Sequence, residues 1–134
     1  MRKYILLTLS NVNVKAGRRE LSTETIIDRL TKAFACKSIV ISKESHTSLG
    51  YHYHVGLWNE SASKHTASSK LRDLFPEFEG RQLNVSFHKG WNTVCTYLLK
   101  EDASPTVWGE ERLEIIKERA SAAAGKHRGP DLVK

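Results

Sequence analysis

An α+β fold, a ferredoxin-like (RRM-like) antiparallel β-sheet with flanking helices, is predicted by three features of this sequence. Four stretches alternate apolar and polar residues, two stretches carry apolar residues at helical spacing, and the order is strand, helix, strand, strand, helix, strand. In all four strands the apolar residues fall at odd numbers, so each strand has one core face and one wetter face.

The first strand carries Ile5, Leu7 and Leu9. A loop with Gly17, Arg18 and Arg19 leads to a helix bearing Ile26, Ile27, Leu30, Ala33 and Phe34, with Ser22 or Thr23 as its cap. The second strand has Ile39 and Ile41, the third Tyr51, Tyr53, Val55 and Leu57, and the short segment SHTSL between them predicts a hairpin. A second helix carries Ala67, Leu71, Leu74 and Phe75. Pro76 and Gly80 end it and turn the chain toward a fourth strand with Leu83, Val85 and Phe87. A third helix is predicted over residues 91–100, and a fourth over 110–124 after Pro105 and Gly109. Residues 1–124 are expected to form one domain and 125–134, GKHRGPDLVK, a C-terminal tail or linker. Helices confined to one side would leave the other face of the sheet open.

A chain of 134 residues is long enough to build one core without staples, burying about two-thirds of its unfolded surface. Cys36 and Cys95 are far apart and lie in apolar runs, which fits reduced core thiols better than a secreted disulfide framework and points to the cytosol or nucleus. The run YILLTL is too short for a membrane span and lacks a cleavage pattern, so neither anchor nor signal peptide is expected. A formal charge of +6, with a pI near 9.4, favours phosphate-bearing partners.

On the open face the even-numbered residues are Thr8 and Ser10; Ser38, Ser42 and Glu44; His52 and His54; Asn84, Ser86 and His88. His52 and His54 are two apart on one strand, with Cα atoms about 6.6 Å apart and both rings on one side, a spacing at which two imidazoles converge on one ion. The hairpin puts Glu44 directly or diagonally opposite His52 and makes it the third ligand. One carboxylate and two imidazoles suit Mn2+, with Mg2+ as the alternative. Gly50 and Gly56 flank the pair and are expected to leave room above the strand for a bulky group such as a phosphate. An isolated His-x-His is nonetheless more often an exposed strand edge with two solvated histidines.

The third helix adds weight to the ligand reading. Val94, Cys95, Leu98 and Leu99 form its apolar stripe, while Thr93, Thr96, Tyr97 and Lys100 gather on the other side, so Tyr97 is not where a core tyrosine belongs. Lys100, at i+3, is close enough to contact a phosphate at the phenol.

Three segments in this order resemble the HUH endonuclease domain of rolling-circle replication initiators (Rep proteins) of circular single-stranded DNA viruses and related plasmids. LLTLSN, residues 6–11, is similar to that family's motif I, with Leu-Thr-Leu-Ser where Phe-Thr-Tyr-Pro is usual. HYHVGLW, residues 52–58, is similar to the histidine-hydrophobe-histidine motif II, with the acidic Glu44 eight residues upstream. YLLK, residues 97–100, is similar to the Y-x-x-K of motif III, followed by the Glu101-Asp102 that the family often shows.

The resemblance implies an HUH endonuclease fold that nicks and joins single-stranded DNA at an origin stem-loop. Tyr97 would be the nucleophile, Lys100 its partner in catalysis, and Glu44, His52 and His54 the ligands of Mn2+ or Mg2+. Candidate DNA contacts are Arg2, Lys3, Thr8, Ser10, Asn11, Trp58, Ser86, His88, Lys89 and Trp91, with Arg18 and Arg19 beside flanking phosphates. The resemblance further implies a monomer as an isolated domain and an oligomer in the full-length protein. The host nucleus is its expected location if the source is a eukaryotic virus, and the cytoplasm otherwise. No G-x-x-x-x-G-K-[ST] occurs, since AAAGKHR lacks the leading glycine and the closing hydroxyl, so the helicase domain of full-length relatives is expected to be absent. Two alternatives stand beside this reading: a non-catalytic single-strand-binding module, which would show aromatics at the centre of the open face, and a plasmid relaxase-like HUH enzyme.

Overall fold

The computed structural model describes residues 4–12, 21–46, 50–60 and 64–132. The elements in chain order are β1 (Tyr4–Val12), α1 (Thr23–Ala33), β2 (Cys36–His46), β3 (Gly50–Asn59), α2 (Lys64–Leu74), β4 (Leu83–His88), α3 (Trp91–Glu101), β5 (Thr106–Gly109) and α4 (Leu113–Leu132). The fold is α+β: one antiparallel sheet of five strands in the order β4-β1-β3-β2-β5, flanked by four helices. Among the described residues, no helix is long and apolar enough to cross a membrane.

The odd-numbered faces of the strands form the main core as expected. Ile5, Leu7, Leu9, Ile39, Ile41 and Val55 pack against Ile26 and Leu30 of α1 and Leu71 of α2. Ser22 is the N-cap of α1, its hydroxyl accepting from the Thr25 N–H at 3.1 Å. Arg29 on α1 donates to both oxygens of Glu77, at 3.0 and 2.7 Å, and to the Leu74 carbonyl at 2.9 Å, which ties α1 to the end of α2.

The even-numbered face is not open, and this corrects the expectation above. Leu6 of β1 and Val40 of β2 lie under Val94, Cys95 and Leu98 of α3 and Ile116 of α4, making a second buried core. The molecule therefore has three layers, with α1 and α2 on one side and α3 and α4 on the other. The apolar stripe seen on α3 is what it buries against the sheet, chiefly against β2 and β3.

Two further differences concern short or irregular elements. The residues between Pro105 and Gly109, for which the pattern predicts no element, form β5, which pairs with β2 from Ser38↔Gly109 to Ile41↔Thr106. Its four residues are too few for alternation to register. Gly109 has φ +116°, and a Cβ there would collide with the Lys37 carbonyl oxygen, so only glycine closes β5 onto that edge. The last helix starts at Leu113 rather than 110 and continues through residues 125–132, which the composition had suggested as tail or linker.

Cys36 and Cys95 are free thiols. Burial pushes Cys36 up to about 11 and Cys95 up to about 12, leaving about one Cys95 in ten thousand as thiolate at pH 8. At pH 8 the buried Cys95 of the native protein is expected to react with a thiol-disulfide colour reagent only as fast as the fold opens, the half-buried Cys36 sooner, and both thiols at once in denaturant. Rapid titration of two thiols in the native state would contradict this burial.

Candidate metal and nucleophile centre

The site is assembled on the even-numbered face, where the C-terminal half of α3 meets the β2–β3 hairpin. In the β2–β3 hairpin Glu44 stands directly opposite His52, and Ser42 opposite His54. In the β1–β3 pair Thr8 stands directly opposite His54. The register between β1 and β3 shifts between Leu9↔Tyr53 and Val12↔Tyr51, so Ser10 and Asn11 together face His52. That is a β-bulge, a device that re-aims side chains beside a site.

His54 is the hub. Its ring is 4% exposed, with Nε2 2.9 Å from Glu44 Oε1 and Nδ1 3.3 Å from Thr8 Oγ1. The Tyr97 ring lies edge-on to it, 5.5 Å between centroids at 77°. Tyr97 is 40% exposed, with Trp108 and Ile115 one of three exposed large hydrophobic residues among those described. Its phenol is pushed above the ordinary tyrosine range, first by burial and then by the nearby carboxylates of Glu101 and Glu44.

Ligand atoms of Glu44, His54 and Glu101 lie within 4.8 Å of one another. Glu101 was noted in the sequence only as part of the Glu101-Asp102 pair, without a role. Its placement follows from the end of α3. The Asp102 N–H closes the helix on the Leu98 carbonyl, and the Asp102 carboxylate accepts from the backbone N–H of Lys43 at 3.1 Å, which fastens the helix end beside Glu44. His52, expected as a ligand, is half-buried on the same face, with its ring 6.3 Å from that of His54, outside the tight group. Two carboxylates and an imidazole form a hard, mixed oxygen and nitrogen set that fits Mn2+ or Mg2+. Among the described residues, the side-chain oxygens of Ser38 and Ser42 are buried on this face without a hydrogen-bond partner.

Gly56 does not leave room for a ligand, as had been expected. A Cβ there would come within 2.5 Å of Leu98 Cδ1 and 2.9 Å of Val94 Cγ1, so the missing side chain is what lets α3 settle on β3. Gly56→Ala is expected to destabilise the fold by about 1–3 kcal/mol. Thermal melting would show this as a drop of several degrees in Tm, and an unchanged Tm would mean the helix can lift without cost. Gly50, with φ +78°, a backbone conformation that favours glycine, stands at the start of β3 opposite His46.

The expected DNA contacts divide. Trp91 is 3% exposed, its Nε1–H donating to Glu111 at 3.1 Å, so it has no face for a base and that expectation is corrected. Trp58 is half-buried, edge-on to Tyr4 at 5.1 Å, with the Lys37 ammonium over its ring at 4.0 Å. Arg119 completes this cluster by bonding Glu111 and Asn92, locking α4 to α3. Ser86 and His88 lie on edge strand β4, half-buried and 2.9 Å apart between Oγ and Nε2, and Lys89 is exposed just beyond. Thr8 and Ser10 are half-buried on β1. Arg2, Lys3, Arg18 and Arg19, and the side chain of Asn11, lie outside the described residues. Lys100 is exposed and lines a groove of about 610 Å³ between α3 and α4 with Lys117, Leu99 and Ala120.

Comparison of the chain with protein-family models and with curated proteins finds no match.

Proposed function

We propose that this chain nicks and rejoins single-stranded DNA through a covalent 5′-phosphotyrosine at Tyr97, acting at a replication origin as the HUH domains of rolling-circle initiators do. The main support is the meeting of Tyr97 of α3 with His54 of β3 and Glu44 of β2, a helix brought from far along the chain onto one hairpin.

Glu44, His54, Glu101 and His52 are the residues that would hold Mn2+ or Mg2+. When bound, such an ion neutralises and orients the non-bridging oxygens of the scissile phosphate. Tyr97 supplies the attacking oxygen. A new bond forms between that oxygen and phosphorus, the bond from phosphorus to the 3′ oxygen breaks, and the phenol proton leaves as the 3′-hydroxyl gains one. One phosphodiester replaces another, so the reverse reaction rejoins the strand. Lys100, one turn beyond Tyr97, stabilises the developing charge or protonates the departing oxygen.

The substrate is a single strand because the scissile phosphate must reach a site walled on one side by α3. Thr8 and Ser10 on β1 stand beside the site, whereas Ser86, His88 and Lys89 lie farther along β4, level with Leu6 and Tyr4, where they would meet only a flanking part of the strand. An origin stem-loop, a monomeric isolated domain and a nuclear or cytoplasmic home complete the reading.

The test is to incubate the protein with a fluorescent origin-loop oligonucleotide and Mn2+ and to run a denaturing gel after boiling. A heat-stable shifted band that vanishes with EDTA is expected. Binding without any such band would leave a non-catalytic single-strand-binding module in its place.

A further inference from the structure

We infer that Thr8 is a positioning residue for the cation site, its hydroxyl setting which nitrogen of His54 carries the proton; this rests on the reading of Glu44, His54 and Glu101 as a cation site. Thr8 and His54 are direct cross-strand partners on one face of β1 and β3, which fixes their approach by backbone register rather than by chance of rotamer. The buried ring is held at both ends, by Thr8 Oγ1 at Nδ1 and by Glu44 Oε1 at Nε2.

The two ends make opposite demands. Without a cation the carboxylate of Glu44 draws the ring proton to Nε2, and the Thr8 hydroxyl then donates to Nδ1. With a cation, Nε2 must offer its lone pair, so the proton has to sit on Nδ1 and donate to Thr8 Oγ1. The exchange moves one proton between the two ring nitrogens through solvent. A hydroxyl is the side-chain group that serves both states without moving, donating in one and accepting in the other. Glutamate at this position would favour only the loaded state, and an aliphatic residue neither.

The experiment uses DNA-free protein and Mn2+, with binding read from the electron paramagnetic resonance signal of the free ion. Thr8→Val keeps the shape and removes the oxygen, and its Mn2+ affinity is expected to fall roughly 10- to 100-fold, as for other losses of an outer-shell partner. Thr8→Ser is expected to bind like wild type. A long-range 1H–15N spectrum of the wild type saturated with Mg2+ should show His54 protonated at Nδ1. Thr8→Val protein that melts like wild type and binds Mn2+ equally well would overturn the role, as would Thr8→Ser as weak as Thr8→Val, or a His54 proton at Nε2 in the loaded protein. Wild-type protein that takes up no Mn2+ would overturn the cation site itself, and the wild-type titration alone reveals that case.

Discussion

Tyr97→Phe is expected to abolish the boiling-resistant DNA adduct, a loss on the order of 10^4- to 10^6-fold, while leaving single-strand affinity and thermal stability near those of the wild type. The change removes one oxygen from a side chain that is 40% exposed, and surface substitutions of this kind stay within about 0.5 kcal/mol. Fold and ring packing against His54 survive, so lost chemistry cannot be blamed on unfolding. The other tyrosines offer no substitute. Tyr53 belongs to the core beneath the sheet, Tyr51 packs edge-on against it at 5.1 Å, and Tyr4 is set against Trp58 and Trp91 near the other end of β1. An adduct persisting in Tyr97→Phe would mean that the nucleophile has been misassigned.

His54→Ala is expected to stop cutting completely and to weaken Mn2+ binding by more than the roughly 10- to 100-fold that follows loss of an outer-shell partner, yet to retain most of the affinity for single-stranded DNA. Contacts to phosphates spread over the strand dominate that affinity, and one imidazole contributes little to it. Direct binding, followed by fluorescence anisotropy at fixed salt, separates the two effects. Equal losses of binding and cutting would show that His54 holds DNA rather than the ion. Glu101→Gln makes the complementary measurement, since it keeps the shape and removes one charge from the group of Glu44, His54 and Glu101. Reduced Mn2+ affinity is expected, and wild-type affinity would mark Glu101 as a bystander at the helix end.

Much of this site could be read before any coordinates, for one reason: side chains in a strand alternate with period two. Knowing that Ile5, Leu7 and Leu9 face a core places Thr8 on the opposite side, and the same step puts Glu44, His52 and His54 on one surface. A short hairpin then fixes Glu44 against His52. Helical periodicity likewise separated Tyr97 from the stripe of Val94, Cys95 and Leu98. These are local regularities, and local regularities survive without knowledge of what packs against them.

What covers a face is a different kind of question. Leu6, Val40 and Gly56 sit among the polar even-numbered residues, two apolar side chains and a gap, and they were the available sign that a helix lands there. Periodicity did not weigh them because three scattered positions on three strands form no run along the chain; they become a surface only once the strands are side by side.

The sequence by itself determined the strand faces, the hairpin that sets Glu44 across from His52, and the exposed side of α3 that bears Tyr97, because each depends on contacts within a few residues or one turn. Tertiary structure alone decided that α3 would press onto the even-numbered face, that β5 would close the edge of β2, and that Glu101 rather than His52 would stand in the tightest donor group. Those outcomes depend on burying apolar area between elements distant along the chain, and on the Asp102 link to Lys43 that fixes where the helix ends.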